Sequence, residues 1–538
     1  MVITGLAPAL LLGCAEPQRQ EQPGATRAPE AVGTRPEETL RVGIGVRPDT
    51  LEIARVTNSA TANLLENVVE TLTTIDENGK VVPNLARRWE ASPDSRTFTF
   101  DLPRGATFQD GAPLNADAVT WNVNRLVQVN AVAACPTVAL ELAALRSVQP
   151  VDADTVRFNF SRPVPNFPAT LSWIAWGILS PRSAELPGNK LTDIQRPVGT
   201  GPFAFEALSA DQLQLRRFDR FRGERPFFGR LAFNFISSPQ ERQERLTSNR
   251  LDVVLAPSVG QTASLARNAR FAVRTKPGTR SIFVPLNNQR PPFNDVRVRR
   301  AVNLAIDKQA IINQLLRGAA TVSDAPVAPG VLGYCRIGPY RYDPAAAKAL
   351  LAEAKVAQGT RLTLLTTRGR YLEDEAASQS IARYLRAVGF QVTVQPVEFP
   401  ALIRMFNAPP QQVKADMHLF GWAPTFADAG YQLPELFDSR RWPPLGPASS
   451  FYKNPEVDKM LEAANRELDR RTRADLFCKA SRQIWDDAPV IFLWVQSFPV
   501  AHRAGLTNIV TLPNEKVSLA FARPTPAPTE PGTPGGSR

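Results

Sequence analysis

Apolar and polar residues alternate along this chain with two periods, one typical of helices and one typical of strands. Behind the Asn294–Asp295 pair, apolar residues recur at i, i+3, i+4 and i+7, at Val298, Ala301, Val302 and Ala305. Residues 39–46 instead alternate with a period of two, as a half-buried strand does. The two periods together predict an α/β protein.

The clearest combination of the two periods lies in residues 361–397. Residues 361–367 are apolar and rich in strand-forming types, and a helix with one apolar face follows and ends at Gly389. Residues 390–397 then alternate again. A strand, a helix and a second strand in such a short segment predict a parallel pair of strands with a right-handed crossover.

Length and composition are those of a protein with several domains. A chain of 538 residues exceeds what one compact core holds. Hydrophobic residues make up 43% and charged residues 21%, as in globular proteins. The sequence contains no run of about 18 apolar residues, so it predicts no membrane-spanning helix.

The two ends of the chain differ from the rest. Residues 2–12 are almost all apolar and lead into Gly13–Cys14, which resembles the end of a lipoprotein signal peptide. We therefore expect residues 1–14 to be this signal peptide, with a lipid on the Cys14 thiol. Because no Lys or Arg precedes the apolar stretch, a mis-assigned N-terminus is the alternative. Residues 15–39 predict a flexible tether, and residues 522–538 predict a disordered tail.

The distribution of charge and the scarcity of metal-binding and catalytic residues argue against several classes of function. The net charge is +12, but the basic residues are spread along the chain without a nucleic-acid-binding motif, so no nucleic-acid partner is expected. With His418 and His502 as the two histidines and no catalytic motif, we expect neither an enzyme nor a metal site. Cys135, Cys335 and Cys478 predict one disulfide and one free thiol in an exported protein, with the pairing left open.

Several motifs occur in an order typical of one family. Residues 81–126 contain a Pro-x-Leu-Ala-x-x-Trp run, a turn ending in Asp-Gly and a capped helix. Residues 196–206 read RPVGTGPFAFE, residues 291–312 read PPFNDVRVRRAVNLAIDKQAII, and residues 416–439 contain a strand that leads into Gly-Trp. Together these segments resemble the extracellular solute-binding proteins of family 5, the receptors of bacterial ABC importers for peptides, nickel and oligosaccharides.

The resemblance implies an α/β, periplasmic-binding-protein-like fold (type II, cluster C) with two lobes, a hinge and an additional small domain. Lobe I would comprise residues 40–58, 197–279 and 497–521. Lobe II, the small one, would comprise residues 59–196, and lobe III residues 280–496. The chain would pass between lobes I and III near residues 281–288 and again near 494–498. Two such crossings allow lobes to close on a ligand.

The resemblance also places ligand contacts in the loop after His418. In peptide-binding members, an Asp three residues after the Trp of the Gly-Trp motif pairs with the α-ammonium group of the peptide. Here Trp422 is followed at that spacing by Thr425, and a neutral hydroxyl cannot replace a carboxylate beside a cation. Asp428 lies nearby as a candidate substitute. We therefore expect Trp422, Thr425 and Asp428 to contact the ligand.

Other candidates lie elsewhere in the chain. The first strand–helix loop of the family lines the cleft, which implies ligand contacts for Thr57, Asn58 and Ser59. The indoles of Trp173 and Trp176 are more typical of a core than of a ligand site. Asn287 and Asn288 follow the first crossing and are expected to hold the backbone.

These observations predict a monomeric, lipid-anchored, extracytoplasmic substrate-binding protein of an ABC importer. It would capture an oligopeptide or peptide-like solute by hinge closure, without a cofactor, and deliver it to the permease and ATPase subunits. The alternatives are a non-peptide solute, such as an oligosaccharide, an opine-like compound, nickel or heme, and a solute sensor with the same fold. A nickel or heme site would have to use His418, since ligands of this kind are scarce in the chain.

Overall fold

The computed structural model describes residues 38–77, 79–132, 138–406 and 408–525. The predicted signal peptide with Cys14, nearly all of the predicted tether, Cys135 and residues 526–538 lie outside the described residues. Within the described ranges, no helix has the length and apolar character needed to span a membrane.

A nine-stranded sheet passes through the middle of the molecule. Thr39–Ile44 pairs in parallel with Arg230–Phe235 on one side and with Val253–Leu255 on the other, and the remaining neighbours are antiparallel. The strand order is Phe420–Trp422, Phe271–Pro285, Val490–Arg503, Val253–Leu255, Thr39–Ile44, Arg230–Phe235, Gln212–Arg217 and Phe203–Leu208, with Ala320–Val322 also paired to Val490–Arg503.

Two long antiparallel strands, Phe271–Pro285 and Val490–Arg503, connect the halves of this sheet. Residues 271–276 pair with 498–503, and residues 280–285 pair with 490–496, with a shift of register between the two blocks. The predicted crossings between lobes I and III fall on this pair of strands. The lobe boundaries themselves stay a prediction.

A four-stranded antiparallel sheet forms the core of the N-terminal region, in the order Arg88–Ala91, Thr97–Asp101, Thr155–Phe160 and Leu145–Asp152. Because strand side chains alternate between faces, the phenylalanines at 98 and 100 and at 158 and 160 point to one side, where they pack around Phe167. All five rings are buried, so this aromatic cluster holds the small sheet on the helices behind it.

The predicted strand–helix–strand unit is confirmed. Arg361–Thr366 and Gln391–Pro396 pair in parallel, and the helix Asp374–Ala387 crosses between them. Met417–His418 adds a third parallel strand on the other side of Arg361–Thr366.

The helix predicted behind Asn294–Asp295 is also confirmed, over Val296–Leu304. The Asp295 carboxylate accepts a hydrogen bond from the backbone N–H of Arg297 at 2.8 Å, which satisfies one of the unpaired donors at the helix start. The apolar face is buried in one core that also contains Trp494.

Further helices and three short ribbons connect these sheets. The helices are Ser59–Leu65, Ala116–Val132, Ala139–Ala144, Phe167–Thr170, Pro239–Thr247, Val259–Ala266, Lys308–Ile311, Pro344–Glu353, Phe399–Phe406, Leu433–Phe437, Pro455–Arg466 and Arg470–Asp487. Three two-stranded ribbons pair Thr73–Ile75 with Val81–Pro83, Val510–Thr511 with Val517–Ser518, and Leu506–Thr507 with Arg523–Pro524. The last ribbon shows that the first residues of the predicted tail are ordered: Ala522 is buried and Arg523–Pro524 is paired.

A disulfide joins Cys335 to Cys478, with 5.6 Å between their Cα atoms. It links the loop around residue 335 to the helix Arg470–Asp487. This assigns the pairing that the sequence had left open.

Candidate functional site

A cavity with about 1080 Å³ of space, including its opening to solvent, lies beside the long strand Phe271–Pro285, which contributes Arg280 to its lining. Its walls come from segments far apart in the chain, in all three predicted lobes. Five of the six residues expected to contact a ligand line it, namely Thr57, Asn58, Ser59, Trp422 and Thr425. We call the wall around Trp422, Tyr431 and Trp173 the aromatic side. The wall formed by Arg280, Arg370 and Ser59, together with the Glu515 carboxylate that contacts them, is the charged side.

Trp422 ends the strand Phe420–Trp422, whose pairing with the long strand Phe271–Pro285 fixes its position. Its ring centroid lies 6.1 Å from that of Tyr431, and Tyr431 lies 6.5 Å from Trp173. The indole N–H of Trp422 is buried without a hydrogen-bond partner among the described residues. The aromatic side therefore offers flat apolar faces and one available donor.

Thr425 follows Trp422 on the same wall. Its carbonyl accepts a hydrogen bond from Nδ2 of Asn514 at 2.7 Å. Burial raises the pKa of the Tyr431 phenol, and a hydrogen bond with the Thr425 side chain opposes this shift. The hydroxyl groups of Thr425 and Tyr431 thus lie where the resemblance implies a carboxylate in peptide-binding members.

Asp428 does not line the cavity. Its carboxylate pairs with Arg473, with Oδ1 3.0 Å from Nη2 and Oδ2 3.3 Å from Nε, and Oδ1 also accepts from the backbone N–H of Gly430. Both side chains of the pair are less than 10% exposed. Because a buried guanidinium needs a counter-charge, Asp428 neutralises Arg473 behind the loop and is not available as a substitute at the cavity wall.

The loop before the first helix has two roles. Oδ1 of Asn58 accepts from the backbone N–H of Thr61 at 2.9 Å and so caps the helix Ser59–Leu65, while its Nδ2 donates to Asp49 at 3.0 Å. The Ser59 hydroxyl instead lies on the charged side. Nη2 of Arg280 donates to it at 2.8 Å.

The charged side is built around one carboxylate. Glu515 accepts hydrogen bonds from Nε and Nη2 of Arg280, and its Oε2 lies 3.8 Å from Nη1 of Arg370. Nη1 of Arg280 also donates to the carbonyl of Gly421 at 2.7 Å. Burial tends to raise the pKa of Glu515, but the two guanidiniums outweigh this and hold that pKa below its usual range.

Glu515 lies in a turn that contacts segments from all the predicted lobes. The carbonyl of Pro513 accepts from the backbone N–H of Thr279 at 2.8 Å. Nζ of Lys516 lies 3.0 Å from Glu66 of the predicted small lobe, and Nδ2 of Asn63 donates to the carbonyl of Glu515 at 2.8 Å. The sequence analysis missed this turn, since no local pattern distinguishes Asn-Glu-Lys from any exposed turn.

Other residues considered from the sequence have structural contacts. Trp173 lines the cavity but also donates its indole N–H to the carbonyl of Val56 at 3.2 Å, and Trp176 is buried in the core. Nδ2 of Asn288 donates to the carbonyls of Leu286 and Pro489, so it holds the backbone.

His418 is buried behind the cavity. Its Nε2 lies 3.0 Å from the Ser449 hydroxyl, and burial lowers the pKa of the imidazole to about 3. The ring is therefore neutral at ordinary pH. In the part of the chain that the structure describes, no three His, Cys, Asp or Glu residues are grouped as metal ligands.

Comparisons with known proteins agree with this architecture. The glutathione-binding protein GsiB of Salmonella choleraesuis is 26% identical over 486 residues, which cover 89% of this chain and 93% of the relative. Among solved structures, DppA from Helicobacter pylori in complex with the peptide STSA has a TM-score of 0.83 at 24% identity and covers 91% of this chain and 98% of its own. AppA from Bacillus subtilis in complex with a nonapeptide has a TM-score of 0.83 at 21% identity, covering 92% and 100%.

The structural matches show the fold and confirm the expected type II, periplasmic-binding-protein-like architecture. The family model of the bacterial extracellular solute-binding proteins, family 5, matches residues 80–444, which is more than half of the chain. The chain belongs to the bacterial extracellular solute-binding proteins of family 5.

Proposed function

We propose that this protein captures a peptide or peptide-like solute in the cavity and delivers it to the permease and ATPase subunits of an ABC importer. The observation that carries the proposal is the position of the cavity, which is lined by residues of all three predicted lobes, including Arg280 of the long strand Phe271–Pro285. The titles of DppA and AppA, which name bound peptides, and the name of GsiB support the same class of solute.

Capture requires that the solute binds the closed arrangement of the lobes better than the open one. The turn at 513–516 suits this role, because its contacts with Thr425, Arg280 and Glu66 connect the three predicted lobes around the cavity. Separation of the lobes would break these contacts together.

The mode of binding differs from capture of a free N-terminus by an acidic residue at position 425. Thr425 carries no charge, and Glu66, the carboxylate on the same cavity, is paired with Lys516. We therefore propose that peptide side chains or apolar groups stack against Trp422 and Tyr431 on the aromatic side.

Localisation and anchoring belong to the same proposal. Cys14 would carry the lipid and residues 15–39 would act as the tether, which places a monomeric binding domain outside the cytoplasmic membrane. Cys14→Ser is expected to move the protein from the membrane fraction to the soluble fraction of its host. Retention of the variant in the membrane fraction would contradict lipidation at this residue.

Native mass spectrometry of the protein purified from its own host tests the solute class. A series of peptide masses bound to the protein would support the proposal. A single non-peptide mass would replace it with a sugar, an opine-like compound or another small solute. A protein that never retains or binds a solute would favour a sensor of the same fold.

Trp422→Ala tests the position of the site. We expect the affinity for the retained solute to fall by about tenfold or more, because a large aromatic contact at the centre of a site is lost. Trp89→Ala is the matched control, since Trp89 packs on Phe100 in the small sheet, away from the cavity. Equal affinities of the two variants would show that the solute binds elsewhere.

A further inference from the structure

We infer that the disulfide between Cys335 and Cys478 helps to set the affinity of the cavity for its solute, and that a dithiol weakens binding by reducing it. The bond holds in place a backbone segment that supports the loop on the aromatic side. The inference rests on the proposed capture function and adds a redox-sensitive control to the same site.

The loop 425–431, which carries Tyr431 on the cavity wall, is hydrogen-bonded to the segment around Leu332. The backbone N–H of Leu332 donates to the carbonyl of Ala427 at 2.9 Å, and the backbone N–H of Ala429 donates to the carbonyl of Leu332 at 2.9 Å. The two segments form a parallel bridge at this point. The position of the aromatic side therefore depends on where Leu332 is held.

Gly333 brings this segment into close contact with the helix Arg470–Asp487. Its φ angle is 92°, and a methyl group at this position would lie 2.7 Å from Cβ of Phe477 and 3.0 Å from Cβ of Ala429. Only glycine combines the small volume and the left-handed backbone conformation that this position requires. The segment is thus packed between the helix and the loop 425–431.

The disulfide fastens the same segment to the same helix. Cys335 lies two residues after Gly333, and Cys478 directly follows Phe477. The covalent bond therefore lies beside the packing contact and keeps the segment against the helix. Without the bond, this contact and the hydrogen bonds of Leu332 are the restraints that remain on the segment.

The ion pair between Asp428 and Arg473 is a second connection between the loop and this helix. Nη2 of Arg473 lies 3.0 Å from Oδ1 of Asp428, and reduction of the disulfide does not affect these charges. We therefore expect the reduced protein to remain folded, with a looser loop. Because the bond joins residues 143 positions apart, its loss also lowers the global stability, and the experiments must separate the two effects.

The sulfur atoms are accessible to a reductant, because Cys335 and Cys478 are both only half-buried. A thiolate of the dithiol attacks one sulfur, the S–S bond breaks, and the second thiol of the reductant resolves the mixed disulfide. Two electrons and two protons pass to the protein, which then holds two thiols, and the reductant becomes a cyclic disulfide.

Reduction is expected to act on affinity through conformational entropy. Once the bond is open, the segment and the loop that it supports sample more conformations. A solute that binds against Tyr431 must then order them, and this ordering opposes binding. The contacts of the solute stay the same, so the affinity falls although no contacting residue has changed.

Hydrogen exchange, measured by mass spectrometry, tests the loosening without any solute. The wild-type protein is compared before and after treatment with dithiothreitol. We expect faster exchange in the peptides that contain the amides of Leu332 and Ala429, and unchanged exchange in peptides from the unit Arg361–Pro396. Unchanged exchange at both amides, with alkylation showing that both thiols had formed, would overturn the inference. Equal acceleration in all peptides would also overturn it, because that pattern reports a global loss of stability.

Native mass spectrometry tests the effect on binding, with the solute that the protein retains from its host. Oxidised and reduced proteins are dialysed in parallel, well below the melting temperature of the reduced form. We expect reduction to raise the apparent dissociation constant by about fivefold or more. Equal retention of solute by the two folded forms would overturn the inference. If the oxidised protein retains no solute, the proposed function fails, and hydrogen exchange still decides whether the disulfide holds the loop.

Variants separate this disulfide from other effects of the reductant. The double variant Cys335→Ser, Cys478→Ser is expected to bind like the reduced wild type and to be insensitive to dithiothreitol. Cys135→Ser is the matched control, since it removes a cysteine that this bond does not use, and it should respond as the wild type does. A double variant that still loses solute on addition of dithiothreitol would contradict the inference. If the double variant does not fold, the reduced wild type carries the test.

Discussion

The two sides of the cavity are built in different ways. The aromatic side is largely local, because Trp422, Thr425 and Tyr431 lie within ten residues of one another on one strand and the loop that follows it. The charged side brings Ser59, Arg280, Arg370 and Glu515 together from distant segments. The difference shows that the apolar contacts of a site can belong to a local motif, whereas its charged residues are brought together only by folding.

The two sides also differ in how they are stabilised. Behind the aromatic side, Asp428 and Arg473 form a balanced pair that braces the loop. On the charged side, the buried Glu515 carboxylate forms an ion pair with Arg280 and lies 3.8 Å from Arg370, and both arginines line the cavity. Substitutions on the charged side should therefore change both stability and binding, whereas loss of the Asp428–Arg473 pair should change mainly stability.

The largest effect is expected from Glu515→Gln. This change leaves the buried Arg280 guanidinium without the carboxylate that binds it, so we expect the free energy of unfolding to fall by about 3–5 kcal/mol at pH 7. Urea denaturation followed by circular dichroism measures it. Glu375→Gln is the control, because its partner Arg368 is exposed and the loss should stay within about 1 kcal/mol. Similar losses in both variants would mean that the charged side is not electrostatically coupled.

A smaller effect is expected from Asp428→Asn, behind the aromatic side. The amide keeps an oxygen for Gly430 but loses the charge that faces Arg473, and we expect a loss of about 1–3 kcal/mol in the free energy of unfolding. Solute affinity, measured by calorimetry, should change less than in Trp422→Ala. A variant of normal stability that no longer binds solute would instead make Asp428 a direct contact.

The smallest effect at neutral pH is expected from His418→Asn, although its pH dependence is distinctive. Burial lowers the pKa of His418 from 6.5 to about 3 in the folded protein. The neutral imidazole therefore contributes fully to the free energy of unfolding above pH 6.5. This contribution is lost as the pH falls toward 3, by about 1.4 kcal/mol per pH unit, because the unfolded chain binds the proton more readily. Urea denaturation at several pH values should show a shallower slope in the variant. Because burial also lowers the pKa of His502, His502→Asn is expected to change the slope in the same direction. An unchanged slope in His418→Asn would mean that the imidazole titrates normally.

Much of the fold was predictable because it depends on local patterns. The helix at Val296–Leu304 and the unit from Arg361 to Pro396 follow from the spacing of apolar residues, which decides the face that each element buries. The order of the short motifs was sufficient to predict the family, and the Gly-Trp motif indicated the aromatic side of the cavity. These features need no knowledge of which distant residues meet.

Only the tertiary structure decided the rest. Asp428 and Thr425 lie three residues apart, yet one faces Arg473 and the other faces the cavity, because the loop turns between them. The disulfide between Cys335 and Cys478, and the contacts of Glu515 with Arg280 and Arg370, join residues more than a hundred positions apart. A sequence pattern records the period of a local element, whereas the pairing of charges and thiols depends on how those elements pack. The sequence therefore predicted the aromatic side of the cavity. The charged side depends on the packing of distant segments, which only the tertiary structure shows.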